Sequence, residues 1–337
     1  MVFLKENQIN KETKVFDRGL PANFGYSLGG GFVYNIKDVH IPLFRLKEWN
    51  FYQFVNEKFS FYAILGHVSY ATSIDFTLFE FETGKHYHVG KLLPFKRISL
   101  DDNANKDSVI SYKDKNINMT FDHKGKTTNI MLNAKSKEFE NVSANIVLED
   151  TQDDSILVLT PFEHKKHFYL NQKKCIMKAS GSIQFDDVKF NLDQENSFGL
   201  LDWGRGYLPL SHHWIWGSLS GVVDGKYFGF NIGKFGNNTS GSENIFFYDN
   251  KSYKMDVVEI IFDENDYTKP FEYRSNDGNF VFKMTPFYDN HTKTKVLWVD
   301  NECHQIFGRF NGYIIVEDKK IEIKDLIGFT ENAYNRW

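Results

Sequence analysis

Three observations predict an all-β protein built of antiparallel barrels or sandwiches. Aromatic residues make up 17% of the 337 residues, with 33 Phe and 17 Tyr, and ring side chains suit a pleated, half-buried surface. Short runs of alternating polarity recur along the chain, separated by turn residues. Helical signal is scarce: LFRLKEWNFYQFVNE (43–57) has apolar spacings that fit a helix as well as a strand, and the choice stays open.

The hairpins follow in order. YATSIDFTLFEFETGKHYHVGKLL turns at Thr83-Gly84, INMTFDHKGKTTNIMLNA at Lys124-Gly125, and SANIVLEDTQDDSILVLTPF around 150–154. SGVVDGKYFGFNIG turns at Asp224-Gly225, the strongest hairpin signal in the chain. FEYRSNDGNFVFKM repeats the device at Asp277-Gly278, and NGYIIVEDKKIEIKDLIGF turns at 317–319. A chain of this length forms about two domains or one large β domain. The Gly-, Asn- and Ser-rich stretch GKFGNNTSGSEN (233–244) marks the junction, giving domains 1–236 and 237–337.

Composition excludes several functions. Forty Lys and Arg against 44 Asp and Glu give a net charge of −4, unlike the basic footprint that nucleic acid requires. No 18-residue apolar run and no signal-peptide core occur, so a cytoplasmic protein without a transmembrane segment is expected. Cys175 and Cys303 cannot build a disulfide framework and read as small buried hydrophobes.

GLLDWGRGYLPLSHHWIWGSLSG (199–221) carries the densest chemistry, with three of the six tryptophans and two of the eleven histidines. A two-residue loop at Asp224-Gly225 pairs Val223 with Lys226, Leu219 with Phe230, Ser218 with Asn231 and Trp216 with Gly233. One face then holds Ile215, Leu219, Phe228, Phe230 and Ile232, a packed core. The other holds His212, Trp214, Trp216, Ser218 and Ser220 opposite Gly229, Asn231 and Gly233. Strand glycines mark places where another body approaches. Either a second protein layer covers this face, or it walls a ligand pocket. Upstream, LLDWGRGYLPL reads as a Gly-punctuated loop in which Asp202 and Arg205 can form a charge-assisted hydrogen bond beside Trp203 and Tyr207. That pair either pins the loop or supplies a general acid or base.

Other clusters are weaker. His86 and His88 share a strand face but lack a third ligand, the histidines of EHKKH (163–167) are separated by lysines, and LGGGF (28–32) is no phosphate loop. No metal and no nucleotide cofactor is expected. Glu243 and Asn244 begin a strand, and His304 leads another; each is a candidate for the same pocket or an ordinary polar strand end.

LLDWGRGYLPL, WIWGSLSG, DGKYFGFNIG, SGSEN, HQIFGRFNG and the terminal GFTENAYNRW, in that order, resemble the bacterial family catalogued as domain of unknown function 2804, from about Trp49 to Trp337. More distantly the chain is similar to the carotenoid 1,2-hydratase and AttH-like group, through Asp202, Trp214, Trp216, Asp224 and Gly225. That resemblance implies two lipocalin-like (calycin-type) β domains, and hydratase, isomerase or cyclase chemistry on an apolar small molecule. The group follows its aspartate with His and an acidic or amide residue, where this chain has Trp203-Gly204-Arg205.

The leading expectation is an enzyme working by proton transfer. Asp202 would be the acid/base, Arg205, Tyr207 or His212 would orient the substrate, and Trp203, Trp214, Trp216, Ser218, Asn231, Glu243, Asn244 and His304 would line the site. A non-catalytic small-molecule carrier and a carbohydrate binder are the alternatives. Nothing in the sequence sets the oligomeric state.

Overall fold

The computed structural model describes residues 6–192, 197–236, 240–296 and 299–336. Two curled antiparallel half-barrel sheets make up the fold, the arrangement of two lipocalin-like domains. Among the described residues the first sheet has 13 strands, ending with Phe198–Tyr207, and the second has nine, beginning with Ser211–Val223. The chain therefore changes sheet at 208–210. The expected junction at 236/237 abuts residues 237–239, which lie outside the described residues, and the WIW hairpin belongs to the second sheet.

The ambiguous 43–57 segment is the strand Lys47–Val55 after a single 3-10 turn, Leu43–Arg45. Its neighbours Phe59–Val68 and Phe198–Tyr207 bury it on both sides, and that pairing decides between two periodicities that fit the sequence equally. The turn around 150–154 exists, but its flanking strands do not pair as a hairpin. Val142–Asp150 and Ile156–Pro161 each pair with part of one long strand, Phe168–Phe185.

That strand also shapes the contact between sheets. Its register against Phe198–Tyr207 shifts between Lys174 and Met177, and Ile176 adopts φ 58°. The bulge drives the Ile176 side chain against Gly229 of the second sheet, where a Cβ would come within 2.6 Å of it. The freed Ile176 N–H donates to Ser220 Oγ at 3.0 Å. Separate aromatic cores fill the two half-barrels, Phe54, Phe61, Phe76 and Phe121 in the first and Phe228, Phe230, Phe280 and Phe310 in the second. Burying each ring is worth about 1.5–3 kcal/mol.

Candidate active site between the sheets

The Asp224-Gly225 register holds residue for residue: Val223 faces Lys226, Ser218 faces Asn231 and Trp216 faces Gly233. Both turn residues have positive φ, 51° and 76°, as a two-residue primed turn requires. Leu219, Phe228, Phe230 and Ile232 pack in the second core as expected, whereas Ile215, expected with them, is half-buried and lies outside it.

The opposite face is divided. At one end the bulge of the first sheet covers it: Ser218 Oγ donates to the Phe230 carbonyl at 3.0 Å and lies 3.8 Å from Cys175 Sγ. At the other end His212, Trp214 and Trp216 wall a cavity of about 240 Å³ between the sheets. From the first sheet, Trp49, Phe51, Tyr169, Lys173 and Asp202 complete it, with Lys47 and His67 towards the rim. Glu331 comes from the second sheet, on Lys319–Arg336, and Glu243 from the loop before its strand Ile245–Tyr248.

Register explains the polar cluster. Lys173 and Asp202 are direct cross-strand partners, and Lys173 Nζ lies 2.6 Å from Asp202 Oδ2. Asp202 Oδ1 accepts from Trp49 Nε1 at 3.0 Å and Asn171 Nδ2 at 2.6 Å. A Cβ on Gly204 would collide with the Trp49 ring, so that glycine lets the indole lie beside Asp202. Lys173 also sits 3.6 Å from the Trp216 ring centroid, a cation–π contact across the sheets. Trp216 Nε1 donates to Asn231 Oδ1 at 2.7 Å, and Asn231 Nδ2 donates to the Glu243 carbonyl at 2.9 Å.

Two further carboxyls face the same cation. Glu331 Oε1 accepts from Trp214 Nε1 at 2.6 Å, and Oε2 from Gln305 Nε2 at 3.1 Å. Glu243 lies against Gly233, where a Cβ would collide with its carboxyl, and its buried Oε2 has no hydrogen-bond partner. Burial raises the pKa of both glutamates; the nearby Asp202 charge adds to this and Lys173 opposes it. At the rim, burial and the Lys47 charge push His212 down to about 4, and burial and Arg45 push Lys47 down to about 7.

Several expected site residues lie elsewhere. Residues 198–207 form one continuous strand, so Asp202 and Arg205, three apart, point to opposite faces and do not pair. Arg205 is fully buried on the other side, bonded to Asp101 Oδ1 at 2.7 Å and stacked on Trp203 at 4.0 Å. Trp203 donates to Asp101 Oδ1, and Tyr207 packs edge-on to His167. Asn244 pins the Glu243 loop by accepting from the Gly233 N–H at 3.0 Å and donating to the Asp256 carbonyl at 3.1 Å. His304 lies outside the cavity in a ring stack with Tyr267 and His291, 2.7 Å from Asp289. Its neighbour Gln305 turns inward instead, towards Glu331 and Gln53.

Lys173, Trp49, Asn171 and Glu331 complete the site without standing among the residues expected there. Strand alternation in LNQKKC sets Asn171 and Lys173 on one face, a signal present in the sequence. Glu331 stands in the terminal GFTENAYNRW motif, 117 residues from its Trp214 partner, and pattern alone does not join them.

Solved structures share this fold. Kievitone hydratase from Nectria haematococca superposes with TM-score 0.53 at 13% identity, covering 86% of this chain and 89% of that one. CghA with Sch210972 gives TM-score 0.51 at 9% identity, covering 86% and 88%. An AttH-type protein from Nitrosomonas europaea gives 0.47 at 11% identity, covering 86% and 92%. At these identities the likeness is one of fold. No curated protein matches the chain in sequence. The model of the domain of unknown function DUF2804 matches residues 6–337, as the motif resemblance implied, and the chain belongs to that family.

Proposed function

We propose that the cavity between the sheets binds a largely apolar small molecule and catalyses an acid–base reaction on it. The observation that carries this reading is the content of the cavity: three carboxyls, Asp202, Glu243 and Glu331, around one ammonium, Lys173, inside aromatic walls. Three tryptophans, Trp49, Trp214 and Trp216, wall it, and all three indole N–H groups are engaged by protein acceptors, so the walls offer a ligand apolar ring surface rather than free donors.

Glu243 is the proton donor in this reading. Burial raises its pKa and so favours the protonated carboxyl, and its buried Oε2 has no hydrogen-bond partner to hold that proton back. The proton moves from Glu243 to an unsaturated carbon or a carbonyl oxygen. The resulting carboxylate then takes a proton back, from a neighbouring carbon in isomerisation or cyclisation, or from added water in hydration. Asp202 has both oxygens engaged and acts by orienting Lys173, whose charge steadies the Glu243 carboxylate once formed. This moves the acid role expected of Asp202 to Glu243. The hydratase among the proteins of this fold is compatible with such chemistry, but fold alone does not assign a reaction.

The test is mass spectrometry of organic extracts from freshly purified wild type, Trp214→Ala/Trp216→Ala and Glu243→Gln. A defined compound should be present in wild type and absent from the double tryptophan variant. Glu243→Gln should retain the compound class and fail to convert it. Empty extracts from folded wild type would overturn apolar-ligand binding. Retention with undiminished turnover in Glu243→Gln would overturn the acid role. Binding without conversion in wild type would mark a carrier.

A further inference from the structure

Four separate segments place bare apolar side chains around one surface depression beside the cavity. Leu43 and Phe44 occupy the 3-10 turn before Lys47–Val55, Tyr70 and Phe95 flank the strand pair Ala71–Glu80 and His86–Pro94, and Leu210 lies in the crossing between sheets. Phe95 is 88% exposed, Phe44 60% and Leu210 55%. The loops are tied together: Phe95 N–H donates to the Tyr70 carbonyl at 2.6 Å, and Arg97 Nη1 donates to the Leu43 carbonyl at 3.1 Å. Phe44, Tyr70 and Leu210 line the depression, whose inner wall, Lys47 and Leu208, is also wall of the cavity. The depression thus adjoins the cavity.

We propose that the rim of this depression docks on an anionic lipid surface, so that the cavity exchanges its ligand directly with the bilayer. Isolated exposed apolar side chains are ordinary, but several clustered around one depression mark an interaction site. The charge pattern selects the partner. Although the chain carries net −4, no acidic side chain lines the depression among the described residues, whereas the half-buried Arg45 does. Exposed Lys96 follows Phe95 directly. Arg97 contributes no free charge, because Glu48 pairs with it. Aromatic tips flanked by cations match the bilayer interface, where rings enter the headgroup region and cations meet anionic lipid. Rings and a leucine carried on separate loop tips insert into a soft surface more readily than they form a flat protein interface. The inference rests on the apolar-ligand reading only for why the rim exists. Vesicle binding is measured without ligand, so either can fail alone.

The experiment is co-sedimentation of the full chain with vesicles of phosphatidylcholine and phosphatidylglycerol at 3:1, against phosphatidylcholine alone, at low and physiological salt. Wild type should partition onto the anionic vesicles, more strongly at low salt. Phe44→Ser/Phe95→Ser should lose at least tenfold in partition, and Arg45→Gln two- to threefold on anionic vesicles only. Both phenylalanines are exposed, so circular dichroism should be unchanged; Leu210→Ser, in the crossing between the sheets, supplies an independent variant. No partition of wild type at low salt, or equal partition of the double serine variant, would overturn the proposal. So would a wild-type dimer that the serine variant dissociates, which would make a second copy the occupant.

Discussion

Lys173 Nζ lies 2.6 Å from Asp202 Oδ2 in its own sheet and 3.6 Å from the Trp216 ring centroid in the other. One side chain thus holds a buried ion pair and a contact between sheets. Lys173 also supplies the positive charge facing Glu243 and Glu331.

Lys173→Met should therefore be among the most destabilising single changes in the cavity, by about 3–5 kcal/mol, because the Asp202 carboxylate loses its cation while staying buried. Adding Asp202→Asn should recover at least about half of that loss, since the orphaned charge disappears and the amide oxygen still accepts from Trp49. Urea denaturation of both single variants and the double variant checks this. Additive losses would show that the pair is not coupled.

Gly233 is required because Glu243 lies against its Cα. Gly233→Ala should cost about 1–3 kcal/mol by overpacking a buried carboxyl. In a Glu243→Ala background the same change should cost less than about 1 kcal/mol, because the collision partner is gone. Thermal or urea unfolding of the four proteins measures the coupling, and equal losses in both backgrounds would place the strain elsewhere.

What was legible in the sequence follows from how local each signal is. Asp224-Gly225 fixed its register because a two-residue turn leaves one pairing, and that put Trp216 opposite Gly233 and Asn231 one pair away. The same logic, applied to 198–207, would have separated Asp202 from Arg205. Gly204 and Gly206 there resemble loop punctuation, yet Gly204 makes room for the Trp49 ring. The glycines opposite the tryptophans did mark an approaching body, but it was the protein's own Ile176 and Glu243. Lys173 and Glu331 were missed because they reach Asp202 and Trp214 through sheet order, which pairs strands distant in sequence.

Trp214→Phe should test the hydrogen bond separately from the ring. The change keeps an aromatic wall and removes the Nε1 donor from Glu331 Oε1. A buried acceptor left without its donor costs about 1–3 kcal/mol. Retained ligand in the extract together with lower unfolding stability is the expected pair of results. Unchanged stability would mean that water or Gln305 replaces the indole.

Acid should destabilise the protein through its buried histidines. Burial pushes His212 and His67 down to about 4 from the ordinary 6.5. A group with a depressed folded pKa gives stability that is full above the unfolded value and is lost as pH falls towards the folded one, here between 6.5 and 4. At pH 5 each histidine would remove about 2 kcal/mol. Glu243 and Glu331, raised by burial, run the other way: protonation favours the fold, and their contribution is lost as pH rises past the ordinary 4.5 towards the raised values. Melting temperatures measured from pH 7 to 4.5 should thus fall more gently in His212→Phe than in wild type. They should fall more steeply in Glu331→Gln, which removes an opposing group. Parallel curves for all three proteins would show that His212 titrates as it does in the unfolded chain, and that the cavity is wet enough to ionise its rim.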